Sequence, residues 1–206
     1  MPVSIVFWDV DTQADFIYAD GKLYVPGAEE IVPNLRRLTE WAAGHGVLVM
    51  ASADAHHPGD AEFAKYPPHC IAGTAGQRKI PETRLPNALV LPNRRVKVPR
   101  NLGDYRQVIL EKQQLGVFSN PNTEAVLNRL GLNCEIVLYG VVTEICVAYT
   151  ARGLMRRGYR LRVVTDAIRH LNELSARTFL QEIKDAGVTL VTTEELLSGL
   201  TQQTAA

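Results

Sequence analysis

Along most of the chain, short continuous apolar runs alternate with stretches in which apolar residues recur every three or four positions. Residues 3–8, Val-Ser-Ile-Val-Phe-Trp, are β-branched and aromatic with apolar side chains on both faces, the pattern of a parallel strand covered on both sides. Residues 29–43 place Ile31, Leu35, Leu38 and Trp41 at helical spacing among charged neighbours, and Gly44-His45-Gly46 ends that helix. Further buried strands are predicted over 47–51, 88–91, 108–111, 135–139, 161–164 and 188–191, and helices over 123–130, 143–157 and 173–185. Thr123 and Thr143 stand where N-caps belong, and Val147, Ala151, Leu154 and Met155 form the apolar stripe of the helix after Thr143. Strands alternating with helices are joined most economically by right-handed crossovers. The expected fold class is therefore α/β, an open, mostly parallel sheet with helices on both faces in a Rossmann-like three-layer arrangement. No linker or internal repeat interrupts the pattern, so residues 1–206 are read as a single domain, with the tail after Leu197 expected to fray.

One stretch breaks the alternation. Residues 52–87 are rich in His, Pro and Gly and exceed an ordinary connection, which marks them as functional. In an open parallel sheet, ligands bind beyond the carboxyl ends of the strands, so the residues there carry the candidate chemistry. The first strand ends in Asp9-Val10-Asp11, a later one in Glu111-Lys112, and another leads through Gly140 to Cys146. With Thr143 as cap, Cys146 lies in the first turn of its helix, where free N–H groups and the dipole favour a thiolate of lowered pKa and stabilise an oxyanion. Lys112 is placed to hold the thiolate or a neighbouring carboxylate, and either Asp11 or Asp9 is placed to take the thiol proton, since residues two apart on a strand point the same way. In the irregular stretch, Asp54 and His56 share a side of an extended segment while His57 points away, and His69 is stiffened by Pro67 and Pro68. One carboxylate and two histidines suit zinc or another first-row divalent metal with open positions.

Composition narrows the functions. The 22 Lys+Arg balance 22 Asp+Glu, which argues against a nucleic-acid binder held by counterion release. No apolar run reaches the roughly 18 residues that a membrane span needs, and the start, Met1-Pro2-Val3-Ser4, has no secretory pattern, so the expected address is cytoplasmic. Three cysteines, Cys70, Cys134 and Cys146, are too few and odd in number for a disulfide framework and are expected as free thiols. The basic segment 94–100 is read as a solvated loop or subunit contact.

These residues together resemble the isochorismatase-like cysteine hydrolase superfamily, and within it the metal-dependent nicotinamidase-like branch. The opening motif Asp-x-Gln-x-Asp-Phe falls on Asp11 to Phe16, the lysine on Lys112, and Gly-Val-x-Thr-x-x-Cys on Gly140 to Cys146. The metal motifs Asp-x-His and Pro-x-His-Cys-x-x-Gly-Thr-x-Gly fall on Asp54 to His56 and Pro67 to Gly76. Isochorismatase proper lacks this nucleophile and metal site. The resemblance implies a catalytic triad of Asp11, Lys112 and Cys146, an oxyanion hole of the Val142 and Cys146 N–H groups, and a cis peptide at Val141-Val142. It also implies that Phe16 and Gln13 bind substrate and that Asp54, His56 and His69 hold a divalent metal: zinc first, then manganese or iron. Members often have Pro directly after the first metal histidine; here His57 intervenes, leaving either His56 or His57 as that ligand. The implied activity is hydrolysis of a small nicotinamide-like carboxamide to acid and ammonia through a thioester, by a homo-oligomer acting on a small molecule. The alternatives are a carbamoyl or ureido substrate cleaved by the same triad, and a catalytically silent binding protein.

Overall fold

The computed structural model describes residues 4–204; Val3, placed above in the first strand, lies outside them. Seven strands form one parallel sheet: β1 (Ser4–Val10), β2 (Val49–Asp54), β3 (Ala88–Leu91), β4 (Gln107–Lys112), β5 (Cys134–Val141), β6 (Arg160–Arg169) and β7 (Thr189–Val191). Their order is β3-β4-β2-β1-β5-β6-β7, so β2, β3 and β4 lie on one side of β1, with β3 at the edge and β4 inserted between it and β2, and the chain crosses to the other side at β5. That reversal beside β1 is a topological switch point, where helices diverge and leave a crevice at the carboxyl ends of the strands.

The double-sided burial read from the apolar runs is present. Phe7 and Trp8 are both fully buried, and successive side chains leave a strand on opposite faces, so they enter different cores. On one face Trp8, Val10 and Leu138 pack with α3 (Thr123–Leu130), α4 (Ala148–Met155) and α5 (Glu173–Asp185). On the other, Phe7 and Tyr139 pack with α2 (Val32–Gly44) and α6 (Thr193–Thr204), and a short α1 (Ala14–Ile17) follows β1.

Three differences from the sequence pattern have physical causes. The helix expected from residue 29 opens as a 3₁₀ turn, Ala28–Ile31, and becomes α-helical where Pro33 sits in the first turn, the position at which its missing N–H costs nothing. Strands β2 and β6 run past the apolar residues because polar side chains beyond them are satisfied: Asp166, for example, accepts the Thr193 N–H and hydroxyl, both at 2.8 Å, and so caps α6. The tail does not fray at Leu197. Helix α6 continues to Thr204, since Leu196 and Leu200 are buried against the α2 side of the core at about 1.5–3 kcal/mol each. Among the described residues no helix is long and apolar enough to cross a membrane.

Candidate active site

Parallel register brings the charged strand ends together. Asp54 and Lys112 are direct neighbours across β2 and β4, and Val10 pairs with Ser52 across β1 and β2, which places Asp11 just beyond the pair. Asp11 has a left-handed backbone, with φ of 50°, and its N–H donates to the Ser52 carbonyl at 3.2 Å. One of its carboxylate oxygens accepts the Ser52 hydroxyl at 2.6 Å, and the other lies 2.9 Å from Lys112 Nζ. Lys112 also donates to Asp54 Oδ1 and reaches Cys146 Sγ at 3.8 Å. All four side chains are buried.

The structure separates Asp9 from Asp11. Asp9 pairs with Lys79 at 2.7 Å and accepts the Thr12 hydroxyl, while Lys79 donates to Thr12 at 2.8 Å. Asp9 is thus committed to holding the segment at Lys79 against the end of β1, and of the two only Asp11 faces Lys112.

Cys146 is carried by a turn that differs from the one expected. Residues Thr143–Val147 form a single π-helical turn before α4, with Val142 at the cap position and its carbonyl accepting the Ile145 and Val147 N–H groups, both at 3.1 Å. Thr143 does not cap it with its side chain; its hydroxyl is buried without a partner. The approach to this turn is close packed: a Cβ on Gly140, at φ 118°, would stand 2.1 Å from the Val10 carbonyl oxygen. The Val141–Val142 peptide is cis.

Burial opposes the expected thiol acidity. Desolvation pushes the Cys146 thiol well up from its ordinary range; Lys112 pulls it down, while Asp11 and Asp54 push it further up. Burial raises Asp11 as well, against the pull of Lys112. At Asp54 burial acts in the same direction but is outweighed, chiefly by Lys112, so this carboxyl lies below its ordinary range. Lys112 stays firmly protonated because Asp11 and Asp54 together overcome its desolvation. Burial and the two carboxyl groups thus favour the neutral thiol, and Lys112, 2.9 Å from Asp11 and 3.8 Å from Cys146, opposes them.

Asp54 links this cluster to a second one. Ligand atoms of Asp54, His56 and His69 lie within 4.8 Å of one another. Asp54 Oδ2 is 3.9 Å from His56 Nε2 and 3.8 Å from His69 Nε2. The His69 Nδ1 donates to the Pro67 carbonyl at 2.8 Å and the His56 Nδ1 to Asp60 at 3.0 Å, so both Nε2 lone pairs are directed inward. His56 Nε2 is buried with no partner. Two imidazoles fixed in the ligating tautomer, an orphaned buried nitrogen and a carboxylate of low pKa fit a divalent cation. His57 is exposed and points away, so His56 is the inward histidine. Glu62, which no spacing in the sequence marks, also faces this cluster, its Oε1 3.9 Å from His56 Nε2 and 3.8 Å from His69 Nε2. Asp60 and Glu62 share the same irregular stretch, and no spacing rule tells the imidazole anchor from the inward donor.

Cys146 and this cluster open onto one narrow cavity, with only about 30 Å³ of free space. Phe16, Leu23, Val25, Ile145 and Leu171 supply apolar walls, and Tyr66 and Glu62 also line it. Phe16 lines this cavity, its ring 5.3 Å from that of His69. Gln13 does not. Its carboxamide donates to the Asp54 and Gln77 carbonyls at 2.8 and 2.6 Å and accepts the Asp54 N–H at 2.7 Å, so it braces the strand end that carries Asp54. The His69 loop is braced in turn by Asp15, which accepts the Cys70 N–H at 2.7 Å in a space that a Cβ on Gly76 would fill. Cys70 and Cys134 are buried away from the cavity lining.

The isochorismatase domain family matches residues 5–195. The chain belongs to that family. Within it the chain falls in the nicotinamidase-like branch. It is 26% identical over 209 residues to the nicotinamidase of Escherichia coli, covering 89% of this chain and 92% of the relative. An N-carbamoylsarcosine amidase from Thermoplasma acidophilum superposes with a TM-score of 0.73 at 25% identity, over 92% of this chain and 96% of that one. A zinc-bound pyrazinamidase of Pyrococcus horikoshii shares the fold, with a TM-score of 0.73 at 23% identity over 92% and 99% of the two chains.

Proposed function

We propose that this family hydrolase of carbon–nitrogen bonds is a metal-dependent cysteine amidohydrolase that converts a small carboxamide of the nicotinamide type to its acid and ammonia. The observation that carries the reading is Asp54, which accepts from Lys112 through Oδ1 and faces the two histidine Nε2 atoms through Oδ2, joining a nucleophile cluster and a cation cluster at one apolar cavity.

The side chains divide the work as follows. With the amide carbonyl next to Cys146, Asp11 takes the thiol proton and Lys112 keeps the developing thiolate and the carboxylates in one charge network. The sulfur attacks the carbonyl carbon, and its oxygen takes up the negative charge beside the Val142 and Cys146 N–H groups. As the carbon–nitrogen bond breaks, Asp11 returns the proton to the leaving nitrogen and ammonia departs, leaving a thioester on Cys146. Asp11 then removes a proton from water, which attacks the thioester; the acid leaves and the thiol is restored. Asp54, His56 and His69, with Glu62 beside them, would hold the divalent cation, zinc by likeness to the pyrazinamidase. Such a cation supplies a Lewis-acidic point that orients a ring nitrogen or a bound water.

Ammonia release across a panel of small amides and ureido compounds tests this. Turnover of nicotinamide or pyrazinamide above the ureas is expected. A second reading, hydrolysis of a carbamoyl or ureido compound by the same triad, draws on the likeness to N-carbamoylsarcosine amidase. Activity confined to the ureas would replace the first reading with the second, and none on either would leave a silent binding protein.

A further inference from the structure

The turn that carries Cys146 is tied to the mouth of the cavity by a side chain with no part in the chemistry above. Glu144, two residues before the nucleophile, accepts the Leu171 N–H at 2.9 Å and the Asn172 N–H at 2.6 Å, both through Oε1. The far side of this tether is rigid. Asn172 caps α5 by accepting the Ser175 N–H at 2.9 Å, and upstream Arg169 donates to the Pro26 carbonyl at 2.9 Å and pairs with Glu30 at 3.0 Å. Between these anchors the Leu171 side chain is 44% exposed, yet it lines the cavity with Phe16, Leu23 and Val25. A leucine held by its own backbone in a wet position at the entrance of an apolar cavity gains its burial only when something apolar fills that cavity.

We infer that Leu171 is a specificity-determining residue that closes the outer wall over the apolar body of the bound amide, and that Glu144 is the positioning residue that holds it there. The inference rests on the amidohydrolase reading for its substrate and sharpens it. The ligand is an amide with a compact apolar body, and bulk projecting toward Leu171 is rejected. Glu144 acts through two backbone N–H groups and one oxygen. Glu144→Gln therefore retains the acceptor, whereas Glu144→Ala releases the turn.

The experiment pairs kinetics with a measurement that needs no turnover. In the amidase assay, Leu171→Ala and Glu144→Ala are each expected to raise KM for a small aromatic amide about 5- to 10-fold, the loss of part of one leucine's burial. Values of kcat should stay within about twofold, and Glu144→Gln should resemble the unaltered protein. A fall in kcat without the KM rise would mean that Glu144 merely supports the nucleophile turn, and would overturn the inference. In parallel, Cys146 is alkylated with iodoacetamide and with the bulkier N-benzyl iodoacetamide, followed by intact mass. Both alanine variants should react at least 5-fold faster with the bulky reagent while the small one changes less than twofold. Equal changes with both reagents, or none, would overturn the proposal. If no amide is a substrate, the proposed function fails in the ammonia assay, while the alkylation ratio still decides the role of Leu171.

Discussion

The buried Asp9–Lys79 pair offers a quantitative separation of structural from catalytic charge. Asp9 is fully buried and Lys79 only 8% exposed, 2.7 Å apart, with the Thr12 hydroxyl bonded to both. Replacing Lys79 by Met leaves a carboxylate in the core with one hydroxyl as its remaining partner, which costs about 3–5 kcal/mol. For a chain of this size that lowers Tm by about 6–20 °C, at 2–4 °C per kcal/mol. Asp9→Leu costs less, because the long Lys79 stem can carry its ammonium to nearby water. The double variant Asp9→Leu/Lys79→Met removes both charges, and Thr12 and Thr83, whose hydroxyls are 2.7 Å apart, keep each other as partners. It is expected within about 1 kcal/mol of the unaltered protein. Urea unfolding of the four proteins gives the coupling energy directly, provided the m-values agree. Amidase activity should survive in the double variant, since neither side chain touches the nucleophile cluster. Additive losses, with the double variant as unstable as the two singles summed, would refute the buried-pair reasoning. A stable but inactive double variant would refute the division of roles between Asp9 and Asp11.

Other expectations follow from the same geometry. Asp11→Asn should fold normally and lose about 10²- to 10⁴-fold in kcat, the usual range for removing a general base; retention of activity would show that another group takes the thiol proton. Cys146→Ala should fold normally and lose turnover; unchanged turnover would exclude Cys146 as nucleophile. Purification without chelators should yield about one divalent ion per chain by elemental analysis, and His69→Ala should lose most of it; unchanged stoichiometry would remove His69 from the cation site. Asn120, 1% exposed, donates to the Leu91, Pro92 and Glu111 carbonyls at 3.0, 3.2 and 2.7 Å. Asn120→Ala should therefore cost about 2–4 kcal/mol in unfolding experiments, and a loss below 1 would mean that water replaces those bonds.

Much of this was legible in the sequence because it depends on local period and spacing. Apolar runs such as 135–139 announce a strand buried on both faces, and the alternation with helices leaves few topologies besides an open parallel sheet. Asp54 and His56 share a side because extended chain has a period of two, which also turns His57 outward. Where polar residues continued an element, the pattern stopped early, as at Ser52 to Asp54 in β2 and over the second half of β6, because sequence does not show which polar groups find partners. Asp9 and Asp11 were equivalent on the same grounds, and only the register of β1 with β2 and the approach of Lys79 from a distant loop gave them different partners. Likewise Glu62 came to face the two histidines, Gln13 to brace the strand end that carries Asp54, and Glu144 to tether the nucleophile turn through folding of the irregular stretch and the β6–α5 turn. The thiol of Cys146 shows the physical reason most directly. A helix terminus in the sequence predicts a lowered pKa, but burial is a property of everything packed around a group, and here desolvation by the folded chain pushes the thiol up.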